Sequence, residues 1–96
     1  MKKIITTKDA PAPIGPYNQA VLSGNTLYTS GQIAINPKTG HLVLEDIETE
    51  TKQVMANLKA VLAAAKMNFE NVIKSSIFIS NMDDFGIINS VYGSYF

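Results

Sequence analysis

Three patterns in the 96-residue sequence predict a domain of mixed strands and helices in the order β-ββ-α-β-α. Gly24-Asn25 stands between two apolar runs, and both residue types tolerate positive φ, so the pair reads as a two-residue hairpin turn. Apolar residues at Ile47, Val54, Leu58, Val61, Leu62 and Ala65 fall on one helical stripe over residues 46–66. The run Val72–Ser80 is rich in β-branched residues and reads as a strand that follows a helix.

The remaining elements fit around these three. Residues 2–6 read as a short strand, and Ala10–Pro16 as a stiff loop, since its three prolines cannot sit in a helix interior or a central strand. The hairpin strands are expected over Tyr17–Leu22 and Thr26–Ile35, with Asn36-Pro37-Lys38-Thr39-Gly40 as the turn that ends the second. Acidic residues crowd the start of the long helix and Lys66 lies at its end, which suits the helix dipole. After Asn81-Met82-Asp83-Asp84, where either aspartate could cap a helix, Phe85, Ile88, Tyr92 and Tyr95 form a second helical stripe. A second helix packed on a sheet normally leads back into that sheet. The chain stops at Phe96 instead, so residues 1–96 are expected to be a single, incomplete domain.

Composition removes several function classes. Eight basic and eight acidic residues cancel, which leaves no electrostatic footprint for a phosphate backbone or an anionic membrane. No segment has the length of a membrane span, and the polar residues after Ile5 do not continue a signal peptide. The absence of cysteine excludes disulfides and thiol chemistry and fits a reducing, cytoplasmic setting. A chain this short without cross-links gains from oligomerisation.

Most candidate chemistry has a plainer explanation. His41, the single histidine, follows a turn glycine and has no second ligand in metal spacing, so it reads as a surface residue. Asp83 and Asp84 read as capping residues, and Glu45, Asp46, Glu48 and Glu50 as a solvated first turn. Ser30 and Ser75-Ser76 lack the nucleophile elbow, the glycines match no phosphate loop, and Met55, Met67 and Met82 read as core fillers. One arrangement stands apart. With the turn at Gly24-Asn25, paired residue numbers sum to about 49, which brings Tyr17 near residue 32 and Ser30 near residue 19. The polar Ser30-Gly31-Gln32 interrupts an apolar strand, and a strand glycine often permits close approach of a ligand or backbone. Pattern alone leaves structural and functional roles for this patch equally open.

The segment Ala12-Pro13-Ile14-Gly15-Pro16-Tyr17-Asn18-Gln19-Ala20 resembles the N-terminal signature of the Rid family, also called YjgF-like. The resemblance continues through Ser30-Gly31-Gln32-Ile33, Asn36–Gly40, Gln53, Asn57-Leu58 and Val72-Ile73-Lys74. It ends in Asp84-Phe85 to Asn89, Tyr92 and Phe96, and so covers essentially the whole chain in order. It implies an α+β, chorismate mutase-like fold with two helices on one face of a mixed sheet, here lacking two C-terminal strands. It further implies a homotrimer with ligand clefts between subunits, and hydrolysis of enamines and imines such as 2-iminobutanoate and 2-iminopropanoate to 2-oxo acids and ammonia. No cofactor, metal or nucleic acid is implied by that activity. Tyr17 matches the tyrosine that lines the family's cleft, Ser30 and Gly31 its polar strand segment, and Asn89 its helix asparagine.

The family's carboxylate anchor is an arginine in a Pro-x-Arg context after the second helix, and a glutamate on its last strand is thought to position water. No arginine occurs in this sequence, where every basic residue is lysine, and the strands expected to carry both groups do not follow Phe96. Two alternatives to deamination are non-catalytic binding of small carboxylates by a trimer, and the ribonuclease or translation-inhibitor activity historically attached to the family. Absence of a strand between Val72 and Ser80 would contradict the assignment.

Overall fold

The computed structural model describes residues 2–96. Strands β1 (Lys2–Ile5), β2 (Ala20–Ser23) and β3 (Thr26–Thr29) form an antiparallel sheet in the order β1-β2-β3. The hairpin register is Ala20↔Thr29 through Ser23↔Thr26, so paired numbers sum to 49 as the turn position predicts. Gly24 takes φ 60° while Asn25 does not enter positive φ, the pattern of a turn with glycine first.

Both hairpin strands are shorter than their sequence suggests. The Tyr17 amide donates to the Gly15 carbonyl at 2.9 Å in a tight turn around Pro16, so it has no donor left for a ladder. On the opposite strand, Ser30 makes the last cross-strand bond, its amide donating to Gln19 at 3.0 Å. Residues 31–35 then leave the sheet and form a separate loop, closed by an Ile35–Leu42 bridge around the expected turn at 36–40.

Helix α1 (Ile47–Ala64) starts where Asp46 caps it, the carboxylate accepting from the Thr49 amide at 2.7 Å. It ends at Lys66, which adopts φ 62°. The Met67 amide reaches back to Leu62 and the Lys66 amide to Ala63, both at 2.9 Å, completing a Schellman motif with lysine where glycine is usual. The core lies between α1 and the sheet. Ile5, Ala10, Ala20 and Val61 form its centre, with Leu22, Leu27, Ala60 and Ala65 around them. Helix α2 (Phe85–Gly93) packs beside α1 through Ile88 and Val91. Its far end is anchored by Phe69, whose ring lies 5.4 Å from those of both Tyr95 and Phe96. The cap before α2 is Asn81, which accepts from the Asp83 amide and opens a short 3-10 turn; Asp84 makes no capping bond, contrary to the expectation for the aspartates.

The main correction is the strand expected over Val72–Ser80. Among the described residues no hydrogen bond of any kind involves Ile73–Ser80, and no strand forms there. A strand exists through its ladder partner, and no neighbour is in register with this segment. The sheet is therefore antiparallel throughout rather than mixed. Ile73 is 92% and Phe78 96% exposed, so this apolar run lies outside the core.

Candidate functional site

Tyr17, Ser30 and Gly31 lie at the end of the β2–β3 hairpin. Two loops meet there: the proline-rich segment that enters β2 and the segment that leaves β3. The Ser30 hydroxyl donates to the Asn18 carbonyl, next to Tyr17, while its amide donates to Gln19. The two halves of the patch are thus joined directly, through Ser30 rather than through a Tyr17 ladder pair. Gly15 has φ 91°, and a methyl group placed on it would meet the Tyr17 ring at 3.5 Å. That distance is ordinary contact, so it is the positive φ of the turn rather than space for the ring that calls for glycine. Tyr17 is 68% exposed, and Ser30 and Gly31 are exposed beside it.

Asn89 stands elsewhere. It lies on the exposed side of α2, and among the described residues no hydrogen bond joins it to Tyr17, Ser30 or Gly31. One surface groove, about 500 Å³, is lined by Asp46, Ile47, Glu48, Gly86, Ile87, Ser90 and Val91 and contains none of the four candidates. A second hollow of about 400 Å³ runs along the loop that precedes Tyr17, between Thr6, Thr7, Lys8, Ala12, Pro13 and Gln19. Among the described residues no cluster of His, Asp and Glu could hold a metal ion, and no helix is long and apolar enough to cross a membrane.

Two side chains that sequence reasoning passed over frame the patch. Gln19 is buried, accepts from the Thr7 amide at 2.7 Å, and donates to the carbonyls of Thr7, Ala10 and Pro11 at 2.9–3.2 Å. Asn57, on α1, is 1% exposed. It donates to the carbonyls of Ile33 and Ile35 at 3.0 and 2.9 Å and accepts from Gln53 at 2.9 Å. A buried amide must have such partners. The available signal was an Asn among the apolar positions of α1 and a Gln beside the alanine that opens β2.

The Asp46 carboxyl is held below the ordinary aspartate range by the hydrogen bond from the Thr49 amide. It serves the helix and lies outside the patch.

Comparison with known proteins fits this architecture. Residues 7–96 match the family model described as Endoribonuclease L-PSP. The mouse protein named 2-iminobutanoate/2-iminopropanoate deaminase is 44% identical over 96 residues, all of this chain and 71% of the relative. The crystal structure of a Rid-family protein from Yersinia pestis superposes with a TM-score of 0.97 at 47% identity, covering all of this chain and 76% of that one. The structure of TdcF from E. coli with bound serine gives 0.93 at 40% identity, over 98% of this chain and 73% of that one. The match runs through 72–80 although no strand forms there, so the strand expected at Val72–Ser80 does not decide the assignment. The chain belongs to the Rid, or YjgF-like, family, with an α+β fold of the chorismate mutase-like kind.

Proposed function

We propose that this chain supplies one wall of a cleft that takes reactive imino acids and hydrolyses them to 2-oxo acids and ammonia. The observation that carries the reading is the 44% identity, along the entire chain, to a relative named as a 2-iminobutanoate/2-iminopropanoate deaminase. The serine bound by a second relative is a small amino acid of the same size class. In this reading Tyr17 and the Ser30–Gly31 segment face the substrate, and Asn89 approaches it from another copy. An open patch with a 68% exposed tyrosine needs a second surface to become a cleft, which suits sites between subunits of a homotrimer. No cofactor takes part.

Imine hydrolysis also needs an anchor for the substrate carboxylate and an activated water. The chain holds no arginine, and a lysine ammonium lacks the planar fork that pairs bidentately with a carboxylate. Loss of that pair alone weakens binding roughly tenfold to a hundredfold. The 96-residue chain is therefore expected to turn over imines slowly or not at all. Extension past Phe96 by two strands bearing the family's arginine and glutamate should restore turnover. The test is semicarbazone trapping of iminobutanoate generated in situ by a threonine dehydratase. Equal clearance by the 96-residue and extended chains would show that the chemistry does not depend on those strands. Failure of both would remove the deaminase reading in favour of carboxylate binding without turnover. The ribonuclease activity named in the family description has less support here, because a chain of zero net charge has little attraction for a phosphate backbone.

A further inference from the structure

We infer that Gln19 and Asn57 are positioning residues that set, from inside the protein, where the Tyr17 and Ser30–Gly31 patch stands. The inference rests on the proposed cleft only for the purpose of that placement; the placement itself stands on hydrogen bonds. Residues 7–17 and 30–35 carry the patch, and apart from the Ile35–Leu42 bridge both are irregular and lie outside the sheet and the helices. Irregular backbone needs side-chain partners to adopt one conformation.

Gln19 supplies them on one side. Its two N–H donors are shared among three carbonyls of the Thr7–Pro11 segment, and its oxygen takes the Thr7 amide. The same residue's backbone carbonyl receives the Ser30 amide. One residue therefore ties the loop leading to Tyr17 and the start of the Ser30 segment to the end of β2. Asn57 supplies the other side. It fixes the Ile33 and Ile35 carbonyls, two and four residues beyond Gly31, to α1. The Ser30–Gln32 segment is thus held at one end by the main-chain carbonyl of Gln19 and just past its other end by the Asn57 side chain, while Ser30 and Gly31 remain exposed between them.

The test uses the ¹⁵N-labelled 96-residue chain and the near-isosteric variants Gln19→Glu and Asn57→Asp. Each keeps the shape and removes the N–H donors. Gln19→Met and Asn57→Leu repeat the test without a new charge, and Leu62→Ala, a buried change away from the patch, serves as the comparison. The Asn57 variants should speed amide exchange at Ile35 and Val43, and Gln19→Met, which removes the oxygen that accepts the Thr7 amide, should speed it at Thr7, by roughly tenfold relative to the helix amides. Both sets should move the Gly31 amide and Tyr17 ring resonances. Leu62→Ala should speed exchange broadly without singling out the patch. If the patch signals of the Gln19 and Asn57 variants move no more than those of the helices, the inference fails. A separate titration of the unsubstituted chain with 2-oxobutanoate, read at Ser30 and Gly31, tests the cleft. Absence of shifts there would remove the functional reading and leave the positioning result as measured.

Discussion

Ala20–Ser23 and Val72–Ser80 are both runs of strand-forming residues, yet only the first is a strand. The difference lies in what surrounds them. Ala20–Ser23 has a partner on each side, β1 and β3, and Ala20 is 1% exposed in the core. The second segment is longer and richer in β-branched residues, but Ile73–Ser80 makes no hydrogen bonds among the described residues and holds Phe78 in solvent. Strand propensity measures fit to a pleated, half-buried surface, so it cannot be satisfied without that surface. An unpaired apolar run of this kind is also a template for association.

The comparison is sharpest in paired truncations. Met55 is 2% exposed on α1, and Met55→Ala should lower unfolding free energy by about 2–5 kcal/mol in chemical denaturation. Phe78→Ala removes a larger side chain and should change it by less than about 0.5 kcal/mol. Similar costs for the two would show that 72–80 is packed in solution.

At the boundary between the two regions stands Lys66, whose φ of 62° suits glycine. Lys66→Gly should raise stability by about 1 kcal/mol, because a side chain is disfavoured in the left-handed region. A loss of stability would indicate that Lys66 makes contacts that the Schellman geometry does not reveal.

The smallest expected effect is in the Asp46 cap. Its carboxyl lies below the ordinary aspartate range, so the stability it lends α1 is present above that range. The contribution disappears as pH falls through the folded-state value. Asp46→Asn should keep the cap oxygen and flatten that part of the acid-unfolding profile; an unchanged profile would assign the acid sensitivity to other carboxylates.

What could be read from the sequence divides along the same line. The hairpin register followed from Gly24-Asn25, and α1 from its stripe, because each signal is local. The lengths of the hairpin strands did not follow, since the turn at Gly15–Tyr17 competes for the Tyr17 amide. The hairpin register brought Tyr17, Ser30 and Gly31 forward before the resemblance did, and they lie at one end of that hairpin. Neither could identify Gln19 and Asn57 as their supports, because a buried amide looks like a surface one until its partners are folded around it. The structure departs from the sequence at 72–80 for a related reason: the residues there favour a strand, but no ladder partner bonds to Ile73–Ser80 among the described residues.

Amide-resolved hydrogen exchange of the 96-residue chain tests this account most directly. The contrast between a completed frame and an unpaired segment predicts strong protection at Val21, Leu22 and residues 55–62. It predicts exchange near the unstructured rate throughout 73–80. Protection at 73–80 matching that of β2 would contradict it, and would mean that the segment finds a strand partner in solution.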